Sequence, residues 1–419
     1  MSALARSGIA AGGPDRALID HLRARVVREA AAGPAELSQA ALGDLIERLL
    51  DEERRILGAS QRDALVQAVV DEALGLGPLE SLLRDPSVTE VMVNGPESVF
   101  VERDGRLQPA DVRFADGAHL LHVIDRILSP LGRRVDEASP MVDARLPDGS
   151  RVNVVIPPLA LDGAVLTVRR FGARPLTAPD LVRLDTISEP MLAMLAAAVR
   201  ARRNILVSGG TGSGKTTTLA ALAAFIPSAE RVVTIEDAAE LRLTLPHVVR
   251  LESRPPSLEG RGAVPIRALV RNALRMRPDR IVVGEVRGGE ALDMLGAMTT
   301  GHEGSLSTLH ASSPADALRR LQILALMGDL DLPYLAVAEQ VASALDLVVH
   351  QARLADGRRR VVEVAAVSRG DQGPELQTLV RWRALERRGD SVEGVFEELP
   401  GAVPWLASAA RDARLADIT

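Results

Sequence analysis

The chain has 419 residues, more than one ordinary domain needs, so at least two globular units are expected. Apolar residues make up 47% and aromatic residues 2%, which predicts cores of aliphatic side chains and few surfaces on which nucleic-acid bases could stack. The formal charge of −6 disfavours a dedicated nucleic-acid binder, and the absence of cysteine excludes disulfides, thiolate zinc sites and thiol nucleophiles.

Two features of the sequence bear on the cellular compartment. The most apolar stretch, residues 191–199, is far shorter than the ~20 residues that a helix needs to cross a bilayer. Near the N-terminus, Arg6 is followed by a Gly-Gly-Pro-Asp run at residues 12–15 instead of the apolar core of a signal peptide. We therefore expect a cytoplasmic protein without direct membrane insertion, whose association with a membrane depends on partner proteins.

Residues 1–75 are predicted to form an N-terminal helical segment. Apolar side chains recur there at helical spacing, at Leu18, Leu22, Val26, Leu42, Ile46, Leu50, Leu65, Val66, Val69 and Val70. Gly33-Pro34 and Gly58 interrupt the pattern where turns are needed. This arrangement is typical of a small helical bundle or a docking segment.

A different periodicity begins after Gly75 and predicts an α+β domain over residues 76–171. Candidate strands, separated by turn-forming dipeptides such as Asn94-Gly95, are found at 88–93, 99–102, 152–156 and 165–168. A helical pattern at residues 120–128 lies between the two pairs of strands. Residues 172–179 contain two prolines and few apolar side chains, which predicts a linker.

Residues 180–419 are predicted to form an α/β domain with a C-terminal extension. Strand and helix patterns alternate along the first part of this segment, which is typical of a parallel sheet with crossover helices. The candidate strands are residues 204–208, 231–235, 280–284, 304–309, 345–350 and 361–367.

A glycine-rich run between a candidate strand and a candidate helix predicts a phosphate-binding loop. Its residues are Gly209, Gly210, Thr211, Gly212, Ser213, Gly214, Lys215 and Thr216, with Thr217 opening the helix. Glycine lets backbone N–H groups approach a triphosphate closely, and the helix N-terminus adds partial positive charge. Lys215 would contact the β- and γ-phosphates of ATP, and Thr216 would ligate Mg²⁺. The alternative is a flexible glycine-rich turn.

Carboxylates follow two of the candidate strands. Glu285 comes directly after residues 280–284, and Glu236-Asp237 follow residues 231–235. Ligands of open α/β sheets bind beyond the carboxyl ends of the strands, where P-loop enzymes use such acids to hold Mg²⁺ or to orient water. Glu236 and Glu285 are therefore predicted as catalytic residues and, with Thr216, as metal ligands. The alternatives are a solvated Glu285 and a capping role for Glu236 and Asp237.

Two histidines flank the candidate strand at residues 304–309. His302 precedes it, and His310 stands at its carboxyl end. A structural, hydrogen-bonded role is the commoner one for a single histidine. A zinc site is not expected, because no His-x-x-x-His spacing or cysteine accompanies the pair.

Together these motifs resemble the Walker A, Asp, Walker B and His boxes of the type II/type IV secretion ATPase superfamily. In chain order the matching segments are residues 209–216, 234–237, 277–287 and 300–310. Further segments, residues 91–95, 132–136, 143–153 and 274–279, are similar to the CpaF-like ATPases of Tad/Flp pilus assembly. The resemblance extends over about residues 75–370.

The resemblance implies a RecA-like P-loop NTPase motor domain preceded by a PAS-like domain, closing into a homohexamer with ATP between subunits. It makes Glu285 similar to the acid that polarises the attacking water, Glu236 to a supporting acid and His310 to a γ-phosphate sensor. The arginines that resemble the family's charge-neutralising set are Arg271 and Arg275, four apart on a predicted helix, and Arg151 and Arg169 of the N-terminal domain. For each of them a surface salt bridge is the commoner role.

The function that this resemblance implies is an ATP-hydrolysing motor that acts on inner-membrane platform proteins. It would power assembly of a Tad/Flp-type pilus or secretion of substrates across the inner membrane. One alternative is an ATPase for type IV secretion or conjugation. Another is a slow, nucleotide-dependent assembly scaffold. A DNA translocase is disfavoured by the acidic balance and the scarce aromatics, so no nucleic-acid partner is expected.

Overall fold

A computed structural model describes most of the chain. The described residues are 16–31, 39–53, 57–103, 105–170, 175–254, 261–328, 330, 332–371, 373–388 and 391–399. The chain divides into an N-terminal unit, Met1–Ala173, and a C-terminal unit, Arg174–Thr419. Parts of the predicted helical segment, of the linker and of the C-terminal extension therefore lie outside the described residues. No helix in the described ranges is long and apolar enough to span a bilayer.

The N-terminal unit begins with three helices, as the helical periodicity predicts. They are α1 (Arg16–Ala31), α2 (Gln39–Glu52) and α3 (Ala59–Leu74). Their apolar faces meet in a separate core that includes Leu22, Ile46 and Val69, each fully buried. Arg62 of α3 pairs with Glu47 on α2, so that charges border the apolar contact.

The rest of this unit is an α+β fold built on a six-stranded sheet. Its strands are β1 (Val88–Asn94), β2 (Val99–Arg103), β3 (Arg106–Pro109), β4 (Met141–Arg145), β5 (Arg151–Val155) and β6 (Val165–Arg169). They lie in the order β3-β2-β1-β6-β5-β4, and every neighbouring pair is antiparallel. Helices α4 (Leu79–Arg84) and α5 (Gly117–Leu128) contribute apolar side chains to the core of this sheet.

Helix α5 begins where the sequence provides a cap. The Asp116 side chain accepts a 2.7 Å hydrogen bond from the backbone N–H of His119, which satisfies one of the free donors of the first turn. Strands β3 and β4 were not predicted. Every residue of β3 is exposed and those of β4 are exposed or half-buried, so neither carries the apolar alternation that marks a strand in sequence.

The C-terminal unit is built on a nine-stranded sheet. Its strands are β7 (Ile205–Gly209), β8 (Val232–Glu236), β9 (Val248–Glu252), β10 (Arg280–Val283), β11 (Leu306–His310), β12 (Leu347–Arg353), β13 (Arg359–Gly370), β14 (Gly373–Arg388) and β15 (Ser391–Glu398). The order is β15-β14-β13-β12-β7-β11-β10-β8-β9. The six strands from β12 to β9 are parallel, which confirms the predicted parallel sheet.

One strand prediction was wrong in direction. Residues 361–367 were predicted as part of the parallel sheet, but they lie in β13, which is antiparallel to β12. Only five residues, 354–358, connect these two strands, and so short a connection is a hairpin and not a crossover. Strands β14 and β15 continue the antiparallel layer, and neither was predicted because charged residues interrupt their apolar pattern.

Helices cover both faces of this sheet. They are α6 (Ala178–Arg183), α7 (Glu189–Arg200), α8 (Lys215–Ala223), α9 (Ile266–Ala273), α10 (Glu290–Thr299), α11 (Pro314–Leu326) and α12 (Tyr334–Ala344). In β7, Leu206 joins the core formed with α9–α12, whereas Ile205 and Val207 join the core formed with α6–α8. Alternate side chains of a strand point to opposite faces, so the fully buried β7 lies between two layers of helices.

Helix α6 begins inside the predicted linker. Thr177 and Asp180 form reciprocal capping hydrogen bonds, and Pro179 stands in the first turn, where its missing N–H is tolerated. Of the predicted linker, only residues 175–177 are described and lack regular structure.

A single buried asparagine joins three segments at the amino ends of the parallel strands. The Asn204 Nδ2 donates to the carbonyl oxygens of Met298, at 3.1 Å, and Ala344, at 2.6 Å. Its Oδ1 accepts from the backbone N–H groups of Gly304, at 2.8 Å, and Ser305, at 3.0 Å. Each bond satisfies a backbone group at a helix end or a strand start, where the regular ladder stops.

We predict that Asn204→Ala destabilises the C-terminal unit by about 3 kcal/mol, because it leaves several buried backbone groups without partners. Urea unfolding followed by tryptophan fluorescence measures this, since Trp382 is buried in this unit. The exposed Asn272→Ala is the control and should change the free energy of unfolding by less than about 0.5 kcal/mol. Equal stabilities of the two variants would contradict the role assigned to Asn204.

Candidate nucleotide-binding site

The glycine-rich loop lies between the carboxyl end of β7 and the amino end of α8, as the sequence predicts. Gly209 is the last residue of β7, and Lys215 is the first residue of α8. Gly209 has a φ of 157°, and a Cβ there would collide with the Gln351 carbonyl oxygen of β12. Thr216 and Thr217 are half-buried in the first turn of α8, while Thr211 is exposed at the tip of the loop.

Three donors of the loop converge on one backbone oxygen. The Gly210 carbonyl oxygen accepts from Lys215 Nζ at 2.9 Å and from Ser213 Oγ at 2.9 Å, and the Ser213 backbone N–H lies 3.4 Å away. Ammonium, hydroxyl and amide donors arranged around one acceptor are also the groups that bind a phosphate oxygen. A phosphate entering the loop would therefore replace this carbonyl oxygen as their acceptor.

A chain of polar and charged side chains runs from Lys215 across the carboxyl ends of the strands. Lys215 Nζ lies 3.3 Å from His310 Nδ1, and His310 Nε2 lies 2.8 Å from Glu285 Oε1. The other carboxylate oxygen of Glu285 accepts from Arg287 at 2.6 Å, and Arg287 lies 3.4 Å from Asp237. Burial lowers the pKa of His310, the positive charges of Lys215 and Arg287 lower it further, and Glu285 acts against them.

Glu236 lies in a different environment from Glu285. Its Oε1 accepts from the backbone N–H groups of Glu240 and Leu241, each at 2.9 Å. Its Oε2 is buried without a hydrogen-bond partner, and burial raises the pKa of Glu236 to about 7. A Cβ on Gly284 would lie 2.7 Å from Glu236 Cγ, so the end of β10 approaches this side chain closely.

The residues present fit Mg²⁺ held mainly by a nucleotide. In the described residues no group of three or more histidine and carboxylate side chains could hold a metal by itself. Mg²⁺ in nucleotide sites takes few protein ligands, with phosphates and water supplying the rest. The buried Oε2 of Glu236, which has no hydrogen-bond partner, is a suitable oxygen for its shell, whereas Glu285 lies between the Arg287 guanidinium and the His310 ring. That Thr216, Glu236 and Glu285 ligate the metal stays a prediction.

The four predicted arginines lie in two places. Arg271 of α9 donates from Nε to Asp293 at 2.8 Å, and Arg275 donates to the Arg271 carbonyl oxygen at 3.1 Å. Arg275 was predicted on the same helix as Arg271, but α9 ends at Ala273 and Arg275 stands in the turn after it. Pro278 follows closely, and a helix does not extend to the residue before a proline.

Arg151 and Arg169 belong to the N-terminal unit. They are directly opposite each other on β5 and β6, and Arg145 on β4 is opposite Arg151. Whether Arg151 or Arg169 acts on a nucleotide stays a prediction.

His302 and His310 have separate environments. The His302 ring nitrogen Nδ1 lies 3.1 Å from the Pro278 carbonyl oxygen, on the amino side of β11, which agrees with a structural role. His310 joins Lys215 and Glu285 at the carboxyl end of the same strand.

Sequence reasoning missed side chains that β12 and β13 bring to the loop. Gln351 Oε1 accepts from Thr218 Oγ1 at 2.7 Å, His350 Nδ1 lies 2.9 Å from Ser208 Oγ, and Arg359 Nε donates to the Gly212 carbonyl oxygen at 3.0 Å. No local motif marks these residues, because their role depends on the sheet order that places β12 beside β7. Arg287 lies in residues 277–287, the segment that resembles the Walker B box, but no role was assigned to it from the sequence.

The strand-loop-helix arrangement with carboxylates at neighbouring strand ends defines a P-loop type of α/β protein. The chain belongs to the type II/IV secretion system protein family, whose model matches residues 72–378. This confirms the superfamily to which the motifs were assigned.

Known relatives agree with this assignment. A Mycobacterium tuberculosis protein, whose name assigns it provisionally to conjugal transfer, is 38% identical over 350 residues, 82% of this chain and 98% of the relative. The type IV secretion system protein PtlH of Bordetella pertussis is 38% identical over 334 residues, 71% of this chain and 95% of the relative. The crystal structure of the pilus retraction motor PilT with bound ADP has a TM-score of 0.50 and 19% identity, covering 79% of this chain and 84% of that one. That likeness concerns the fold alone, and the predicted RecA-like α/β fold preceded by an α+β domain is confirmed.

We predict that Glu236→Gln changes the pH dependence of stability. The folded pKa of about 7 exceeds the ordinary 4.5, so ionisation of Glu236 destabilises the folded state as pH rises from 4.5 to about 7. Between pH 5.5 and pH 8, wild type should therefore lose about 2 kcal/mol more than Glu236→Gln.

Urea unfolding at both pH values, without nucleotide or divalent metal, measures this difference. The control is Glu252→Gln, which changes the exposed residue opposite Glu236 in the β8–β9 ladder. Its free energy of unfolding should differ from that of wild type by the same amount at both pH values. Parallel behaviour of Glu236→Gln and wild type would show that Glu236 ionises normally.

Proposed function

We propose that this protein binds ATP at the Gly209–Thr217 loop and hydrolyses it to ADP and phosphate. The observation that carries the proposal is the chain of contacts from Lys215 through His310 and Glu285 to Arg287 and Asp237. It joins the Lys215 ammonium, which would bind the phosphates, to the Glu285 carboxylate at a strand end, which would orient the attacking water. Phosphoryl transfer to water requires both kinds of group.

Each loop group has a role that follows from its chemistry. Lys215 transfers its hydrogen bond from the Gly210 carbonyl oxygen to the β- and γ-phosphate oxygens of ATP, and the backbone N–H groups at the start of α8 bind the same oxygens. His310, with its lowered pKa, stays neutral and contacts the terminal phosphate without adding charge. Lys215 and His310 therefore make contacts with ATP that ADP, which lacks the γ-phosphate, cannot provide.

The two glutamates are assigned different tasks. Glu285, flanked by His310 and Arg287, is assigned as the acceptor that orients the attacking water and takes up its proton. Glu236 and the Thr216 hydroxyl would hold Mg²⁺, directly or through water. When bound, Mg²⁺ neutralises charge on the phosphates and lowers the pKa of Glu236 in turn.

The arginines complete the proposal. Arg151 and Arg169, opposite each other on β5 and β6, carry the guanidinium groups that can neutralise the charge that spreads over the transferred phosphoryl group. Arg271 and Arg275 are exposed, so they are available to a nucleotide held between two subunits of a ring.

We predict that Glu285→Gln lowers kcat for ATP hydrolysis by about 100-fold or more, with ATP affinity retained, because Gln accepts no proton from water. Lys215→Ala should lose both ATP binding and turnover. The control is Glu303→Gln, an exposed carboxylate on the amino side of β11, which should match wild type. Phosphate release and calorimetric titration with ATP measure these effects.

The outcomes separate the motor from the slow assembly scaffold. If wild type and Glu285→Gln hydrolyse ATP at the same rate, the slow assembly scaffold is favoured. Absence of nucleotide binding by folded wild-type protein would overturn the proposed function.

We further propose that the protein works as a homohexameric motor at the cytoplasmic face of the inner membrane, through platform proteins. Membership of the secretion family and the absence of a spanning helix in the described ranges support this assignment. In a ring, ATP-driven changes between the two units of each subunit would perform work on the platform. Electron microscopy with a non-hydrolysable ATP analogue tests for six-fold rings.

The transported substrate has two candidates. The CpaF-like segments favour assembly of a Tad/Flp-type pilus, whereas the names of the relatives favour conjugation or type IV secretion. We predict that a host carrying Glu285→Gln loses surface pili but retains conjugal transfer and protein secretion. Electron microscopy of cells and mating assays measure the two traits, with Glu303→Gln as the control. Loss of conjugal transfer or protein secretion with surface pili retained would instead favour conjugation or type IV secretion over pilus assembly.

A further inference from the structure

The β12–β13 hairpin lies beside β7 and contacts the phosphate-binding loop. Strand β12 is parallel to β7, with Gln351 opposite Gly209 in the ladder. Strand β13 returns antiparallel, so that Arg359, its first residue, is opposite Arg353. Both ends of the hairpin turn are therefore placed at the level of the loop.

Three side chains of this hairpin contact three successive parts of the phosphate site. His350 bonds Ser208 in β7, Arg359 bonds the Gly212 carbonyl oxygen in the loop, and Gln351 bonds Thr218 in α8. The first and third contacts are buried and fix the two ends of the loop. Arg359 is the member of this set that bonds the backbone of the loop itself.

The direction of the Gly212 carbonyl determines the direction of the next amide. In a trans peptide, the C=O of one residue and the N–H of the following residue point in opposite directions. Because Arg359 binds the Gly212 oxygen, the Ser213 N–H must point away from the hairpin. It points towards the Gly210 carbonyl oxygen, 3.4 Å away, where the donors of Lys215 and Ser213 also converge.

We propose that Arg359 is a positioning residue for the phosphate-binding loop. Its guanidinium holds the Gly212–Ser213 peptide in the orientation that presents the Ser213 N–H to a phosphate shared by ATP and ADP. This inference rests on the proposed nucleotide binding and assigns a function to a residue outside the family's box motifs. The nucleotide itself is contacted by the amide, and Arg359 acts through it.

The test compares Arg359→Ala with wild type in calorimetric titrations of ATP and of ADP. Losing one charge-assisted hydrogen bond to the loop should weaken both nucleotides by the same factor, about tenfold. In turnover assays KM should rise while kcat changes little, because the amide is bound equally before and during phosphoryl transfer. Arg359→Lys retains a donor for the carbonyl oxygen and should recover part of the affinity.

The matched control is Arg358→Ala. Arg358 is the adjacent exposed arginine and lies 3.7 Å from Asp356, so its removal takes away the same charge without the contact to the loop. It should bind both nucleotides as wild type does. Thermal unfolding of all variants without nucleotide should give midpoints that agree with wild type, because the contact is on the surface.

Several results would overturn the proposal. Unchanged affinity of Arg359→Ala would remove the role of the contact. Loss of ATP affinity with ADP affinity intact would make Arg359 a direct ligand of the terminal phosphate. A lowered melting midpoint that accounts for the lost affinity would make it a structural residue only. Failure of wild type to bind either nucleotide would instead refute the proposed function, so the two failures are distinguishable.

Discussion

The backbone of a loop that binds an anion must point several N–H donors inward, so it cannot satisfy them within its own sheet or helix. Such a loop keeps its shape only if neighbouring groups hold its carbonyl oxygens and its ends. In this protein Lys215 and Ser213 bond the Gly210 oxygen from inside, and Arg359 bonds the Gly212 oxygen from outside. The strands and helices around the loop supply the groups that make these hydrogen bonds and so hold the loop in this shape.

Two glutamates at neighbouring strand ends differ in their hydrogen-bond partners and therefore in their chemistry. Glu285 has the His310 ring beside one oxygen and the Arg287 guanidinium beside the other. Glu236 is buried with two backbone donors on one oxygen and none on the other, so burial dominates and its pKa rises to about 7. One carboxylate therefore already contacts an arginine, whereas one oxygen of the other has no hydrogen-bond partner.

Local patterns in the sequence were sufficient for the buried part of the fold and for the positions of the glycine-rich loop and the strand-end carboxylates. All six parallel strands except β9 were predicted, because their apolar runs are long and end in recognisable loops. The partly buried β9 and the charged β14 and β15 gave no such signal. The contacts of Gln351 and Arg359 with the loop could not be predicted, since they arise from a strand order that brings together residues more than 130 positions apart.

The same strand order gives the antiparallel layer a mechanical connection to the loop. Arg359 and Arg360 are adjacent in β13, and successive side chains of a strand point to opposite faces. Arg360 is buried, stacks 5.1 Å from the Trp382 ring centre and pairs with Asp185 at 2.6 Å. One residue thus anchors β13 in the C-terminal layer, while its neighbour holds the loop. Because the two residues are adjacent in β13, the contact with the loop and the contacts with Trp382 and Asp185 are joined through one strand.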